Sequence, residues 1–176
     1  MSFETRLAER KDELAEKWGD LILATYPGET QAIWKGQKNK FANPVGNAID
    51  NSVTGLFDLI LEWDDAEKVR RELDYLVKIR AVQNFKPSKA LSFVFLLKKL
   101  LRAEFMEELK KEDKLEELML FEARIDNLAL IAFDQYDEAK QTIYQSRVKE
   151  VKNAQYNLLR RANMIVDSTA TGADKS

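Results

Sequence analysis

The chain has 176 residues and contains no cysteine and no histidine. Without thiols there is no disulfide, thiolate nucleophile, iron–sulfur cluster or cysteine zinc site. Without imidazole there is no His-ligated haem, no Ser-His-Asp or Cys-His pair, and no imidazole acid or base. Glycine and proline are scarce, at 6 and 3. None of the glycines falls in a G-x-G-x-x-G string or a Walker loop, so those phosphate cradles are missing too. No long hydrophobic run exists: the most apolar stretch, 90–97, falls well short of the ~20 residues of a bilayer span. The N-terminus is charged throughout and lacks an apolar signal core. Charge of one sign does not dominate, with 28 basic residues against 30 acidic. That balance argues against a nucleic-acid binder. The expectation is a cytoplasmic protein that neither binds nucleic acid nor embeds in a membrane.

What is present is helical periodicity. Hydrophobic residues make up 45% and charged ones 33%, a globular balance. Apolar residues recur three and four apart, and no segment alternates with period two. The spacing predicts a first helix over 3–25, with Leu7, Leu14, Trp18, Leu21 and Ile22 on one face and Pro27-Gly28 ending it. A short amphipathic piece carries Ile33, Trp34 and Phe41. A third helix is expected over 45–62, with Val45, Ile49, Val53, Leu56, Leu59 and Ile60 inward. Asp64 to Glu67 has the spacing of a capping box. It opens a fourth helix to about residue 83, with Val69, Leu73, Leu76, Val77 and Ile79 apolar. Pro87 suits the first turn of a fifth helix over 88–110. Leu91, Phe93, Val94, Phe95, Leu96, Leu97, Leu100, Leu101 and Phe105 make that helix apolar almost all round, so it is expected at the centre of the core. Asp113 to Glu116 looks like a second capping box. From there no Gly or Pro interrupts the chain before Gly172, so the last helix could run about 50 residues. Its first half, 115–131, is expected in the core.

The second half of that helix is sparser. Tyr144, Val148, Val151, Gln155, Leu158, Ala162 and Ile165 recur four and three residues apart, a heptad seam with one polar member. Either this face folds back on its own domain, or it pairs with a second copy. The layout expected is a helical domain over 1–143, a heptad-like extension over 144–167 and a disordered polar tail over 168–176.

Chemistry has few candidates. Glu122 and Asp126 lie four apart, with Glu116 and Glu117 earlier on the same helix. The di-iron bundle pattern needs histidines beside its carboxylates, and no calcium-binding EF-hand loop is present, so these are expected to be solvated surface and not a metal site. No spacing singles out a catalytic pair, and no enzyme activity, cofactor or metal is expected. A cofactor held by Met119 or Tyr136 is a minor alternative. Arg80 stands between Ile79 and Ala81-Val82, beside the turn that begins the most apolar helix. It is either an exposed arginine capping helix carbonyls or a buried one, and a buried one must be paired. Buried, it would hold the turn at 84–87 or orient an anionic ligand. Trp34, Phe41, Arg80, Phe85 and Phe93 are the candidates for a ligand pocket; the aromatics fit a plain core equally well.

Two strings carry a family resemblance. They are Phe41-Ala42-Asn43-Pro44-Val45-Gly46 and the run from Ile79-Arg80-Ala81-Val82-Gln83-Asn84-Phe85-Lys86-Pro87-Ser88 to Lys98. With the segment from Leu14 to Tyr26-Pro27 and the helix around Arg124-Ile125-Asp126-Asn127-Leu128-Ala129, they make residues 10 to 150 similar to the RsbRD N-terminal domain family of RsbR-type co-antagonists. The resemblance implies an all-α, globin-like bundle of about six helices that binds no haem, forms homodimers and acts as a regulatory input domain in a stressosome-like signalling pathway. It also implies an output partner protein. In RsbR-type proteins a STAS domain follows; the expectation here is a chain without one. The expectation is a separate small sensor that signals through association; the alternatives are an assembly adaptor for a respiratory electron-transfer complex or a sensor fragment of a histidine kinase.

Overall fold

A computed structural model describes residues 1–28, 31, 44–83 and 85–162. All elements among the described residues are helices: α1 (Phe3–Glu9), α2 (Lys11–Leu23), α3 (Pro44–Glu62), α4 (Ala66–Val82), α5 (Pro87–Lys111) and α6 (Leu115–Arg161). The all-α bundle expected from the periodicity is what forms. The chain divides into two compact units, Met1–Ala139 and Lys140–Ser176. The expected short piece at 33–41, Trp34, Phe41 and Ile165, and the tail at 168–176 lie outside the described residues.

In the first unit α2 packs against α3 and α5, α3 against α4, and α1 against α2 and α3. The core is the sum of the inward stripes: Leu14, Trp18 and Ile22 of α2, Ile49, Val53, Leu56, Phe57 and Ile60 of α3, Val69, Leu73, Leu76 and Val77 of α4. Residues 115–139 of α6 reach back to several elements. Arg124 donates to the carbonyls of Ile60 (3.3 Å) and Leu61 (2.7 Å) at the end of α3. Gln135 donates to the Arg70 carbonyl of α4 (2.7 Å), and Tyr136 to the Phe85 carbonyl (2.7 Å).

Three expectations needed correction at helix ends. The 3–25 helix is two helices, because Arg10 takes φ −106° and ψ 16° and breaks the ladder. Ser2 caps the first of them by accepting from the Thr5 amide. The start of α4 is capped by Asp65, one residue later than the box spacing gave; its carboxylate accepts from the amides of Glu67 and Lys68. Asp113 does not cap α6. It sits at φ 58° just past α5. There the amide of Asp113 donates to the Lys110 carbonyl and that of Lys114 to Leu109, the paired bonds of a Schellman stop. A left-handed residue is normally glycine there, and an acid at a helix C-terminus also meets the wrong end of the dipole. Asp113→Gly is therefore expected to stabilise the protein by about 0.5–1 kcal/mol, read as a higher urea midpoint with unchanged slope.

The fifth helix is less enclosed than its composition suggested. Phe93, Val94, Leu97 and Leu101 are fully buried, but Phe95 is 48% exposed and Leu96 half-buried. On α6, Leu118, Phe121, Ile125 and Leu128 are buried while Met119, Leu120, Leu130 and Phe133 are exposed. Apolar composition all round a helix overstated burial because, among the described residues, not every face has a neighbour.

Charges on α1, α2 and α5 interlock. Arg6 pairs with Glu108 (2.8 Å) and Glu112 (2.5 Å). Arg10 and Lys17 both bind Glu104 (2.6 and 2.7 Å) and Glu13 (2.8 and 2.7 Å). Hydrogen bonds from Arg10 and Lys17 hold Glu13 at about 2, and those from Arg6 and Lys114 hold Glu112 at about 2, both below the ordinary 4.5. Glu104 is lowered by Lys17 and Arg10. A depressed carboxylate adds stability above its unfolded value and loses it as pH falls through its folded value. The protein is accordingly expected to lose stability steadily between pH 4.5 and 2, and less steeply with Glu104→Gln, in urea unfolding followed by circular dichroism.

Candidate functional site

The site is built around Arg80, near the C-terminal end of α4. Its helical phase points the side chain inward, and it is completely buried. The exposed alternative is thus corrected. Burial demands partners for a guanidinium, and three elements supply them. Nε donates to the Ala90 carbonyl at 2.8 Å. One terminal amino group, Nη2, donates to the Lys89 carbonyl (3.2 Å) and to the Thr25 hydroxyl (2.9 Å). The other, Nη1, is buried with no acceptor among the described residues. Lys89 and Ala90 lie in the first turns of α5, where Pro87 opens the helix. Thr25 follows α2 and bonds back to Ile22 (2.7 Å).

Aromatic rings close around the cation. The Arg80 carbon Cζ lies 5.0 Å from the centroid of Tyr26, 5.0 Å from Phe85 and 5.7 Å from Phe93. Tyr26 and Phe85 meet edge to face at 5.3 Å. Trp18 stacks on Phe93 at 6.4 Å and donates its indole N–H to the Phe93 carbonyl at 2.8 Å. Tyr136 of α6 ties the Phe85 carbonyl from the far side. Burial pulls the Arg80 pKa down, and Tyr26 opposes that pull. Burial also raises Tyr26. A guanidinium keeps its charge through shifts that would neutralise an ammonium, so the cation persists.

Of the five pocket candidates, the structure brings Arg80, Phe85 and Phe93 into one cluster; Trp34 and Phe41 lie outside the described residues. Trp18, expected on the inward face of the first helix, joins the cluster, and the sequence missed Thr25 and Tyr26 as members. Their only signal was position, since Tyr26-Pro27 and Phe85-Pro87 are both chain breaks with an aromatic before the proline. The arrangement is a filled node. It holds the end of α2, the end of α4, Phe85 and the start of α5 in one register.

The carboxylates behave differently from expectation as well. Glu122 is not solvated surface. It is only 6% exposed and takes Arg102 in a two-pronged pair, 2.6 Å at each oxygen. Asp126 pairs with Lys98 at 2.9 Å. Glu117 accepts the Phe3 amide at 2.6 Å. Among the described residues no group of acidic side chains could hold a metal ion. Met119 is 70% exposed, and the Tyr136 hydroxyl is committed to a backbone carbonyl, so the two share no site.

The seam residues Tyr144, Val148, Val151 and Leu158 are 53–64% exposed, and Gln155 and Ala162 are exposed with them. No helix among the described residues is long and apolar enough to cross a membrane. Fold and site define an all-α domain whose most elaborate polar cluster serves its own architecture. The chain belongs to the RsbT co-antagonist protein rsbRD N-terminal domain family, whose model matches residues 12–151. The family is one of regulatory input domains. Neither the curated proteins nor the solved structures gave a match.

Proposed function

We propose that this protein is a cytoplasmic, non-haem regulatory input module of globin-like layout that acts by association, as a homodimer, and passes a change of helix packing to a partner protein without catalysing a reaction. The observation that carries it is an apolar face left uncovered on the first unit. Phe95 (48% exposed) on α5 and Phe133 (55%) on α6 flank a groove of about 460 Å³ that also takes in Leu91 and Leu96. Leu130, three residues before Phe133 on α6, is 66% exposed as well. Contiguous exposed apolar surface of this kind marks a contact site more often than a free surface. A second copy of the same face buries it isologously. Arg80 fits the same reading. By tying Thr25 to Lys89 and Ala90, it fixes how α5 meets α2 and α4, which is the packing a signal must bias.

Phe133→Asp is the test. It places a charge on the uncovered face, at a side chain more than half exposed. In sedimentation velocity the unaltered chain is expected to run as a dimer of the 20.4 kDa protein and the variant as a monomer with unchanged helicity. Two monomers would sink the reading.

A further inference from the structure

We infer that the exposed stripe on residues 144–162 docks a helix whose flanks are acidic, and does not pair with a second copy of this chain. The inference rests on the protein being an association module and names the partner of one of its faces. The two units of the chain carry opposite charge. Residues 1–139 have 21 basic against 27 acidic side chains, whereas 140–176 have 7 against 3. Within 140–162 the only acid is Glu150.

The position of those cations decides the argument. With Val148, Gln155 and Ala162 at the a positions of the heptad and Tyr144, Val151 and Leu158 at d, the flanking e and g positions follow. They hold Lys140, Arg147, Lys152 and Arg161, and otherwise the uncharged Gln145, Ala154 and Leu159. Glu150 falls away from the contact, at c. In a parallel pair each g residue faces the e residue five positions on in the other helix, so Arg147 would meet Lys152 of the partner copy, twice by symmetry. In an antiparallel pair g meets g and e meets e, which sets a cation against a cation or against an uncharged residue and never against an acid. No register of self-pairing gives an attractive flank. Like-charge flanks are how coiled coils exclude a wrong partner, and Asp or Glu at the facing positions turns the same flanks attractive.

The stripe also fits a helix better than a bilayer surface. A helix that lies in a membrane interface presents a broad apolar face. Here most of the apolar residues form an a/d seam with Gln155 in its middle; exposed Leu159 at e and Tyr156 at b widen it toward one end, and Lys149 at b and Lys152 at e lie beside it. A single polar residue at an a position sets register between paired helices.

The full chain offers a clean assay because it has no native thiol. A synthetic four-heptad peptide with Ile at a and Leu at d is made in three forms, with Glu, Gln or Lys at every e and g. The full chain is expected to bind the Glu form about tenfold or more tighter than the Gln form, less so as salt rises, and the Lys form least. Arg147→Glu with Lys152→Glu is expected to reverse the order. Val151→Cys under mild oxidation is expected to give little cross-linked dimer, and much more when combined with Lys152→Glu. That experiment is run in the Phe133→Asp background as well, so that loss of self-association through the first unit is read separately. Equal binding of the Glu and Gln peptides would overturn the inference. So would efficient cross-linking by Val151→Cys alone in that background, or binding to phosphatidylserine vesicles stronger than to the Glu peptide.

Discussion

Arg80→Ala is expected to lower stability by about 3–4 kcal/mol, a drop of roughly 6–16 °C in melting temperature for a protein of this size. The substitution deletes a fully buried side chain held by two carbonyls and a hydroxyl and enclosed by three rings. The loss combines cavity formation with the hydrogen bonds and the cation–ring contacts, each worth about 1–2 kcal/mol when buried. Arg80→Lys separates shape from charge. A lysine keeps the cation but cannot span Thr25 and Ala90 with one planar fork, and its ammonium is more strongly hydrated. It is expected to be destabilised by about 2 kcal/mol. Arg80→Met keeps the apolar stem alone and is expected to fall between the lysine and alanine variants. If lysine were tolerated fully, the node would be a charge site only, and the account of the register would fail.

Removal of residues 1–11 is expected to destabilise the protein by about 5 kcal/mol, comparable to the whole stability of many domains. The family match begins at residue 12, yet α1 lies before it and is no loose extension. Phe3 and Leu7 have no exposed surface. Phe3 meets Phe105 edge to face at 5.3 Å and Phe121 at 5.7 Å, so α1 seals the seam between α5 and α6. Burial of two such side chains contributes about 3–6 kcal/mol. Arg6 adds its pairs to Glu108 and Glu112, and Glu4 pairs with Arg124. The shortened chain is expected to keep its far-ultraviolet helix signal in part and to lose a cooperative thermal transition. A sharp transition within a few degrees of the full chain would show that α1 is dispensable.

Much of this architecture could be read from the sequence because helices advertise themselves. Period-3.6 stripes placed α3, α4 and α5 within one or two residues, and Pro87 marked the first turn of α5. The stripes failed where burial depends on a neighbour the sequence does not show. Phe95 and Phe133 are as apolar as Phe93, and only the packing leaves them outside. Boundaries failed where a single residue leaves helical geometry. Arg10 and Asp113 carry no glycine or proline signal, yet each breaks or ends a helix. Arg80 was visible as an oddity among apolar neighbours, but its partners come from positions 55 and 10 residues away in the chain. No local pattern links Thr25 to Ala90. Glu122 was misread for a similar reason, since its burial comes from Arg102 on another helix.

The central claim is that this protein works by associating through its helix faces. Light scattering of the purified full chain over a range of micromolar concentrations tests it most directly. The account predicts a mass approaching twice 20.4 kDa as concentration rises. A constant mass of one chain at every concentration would contradict it.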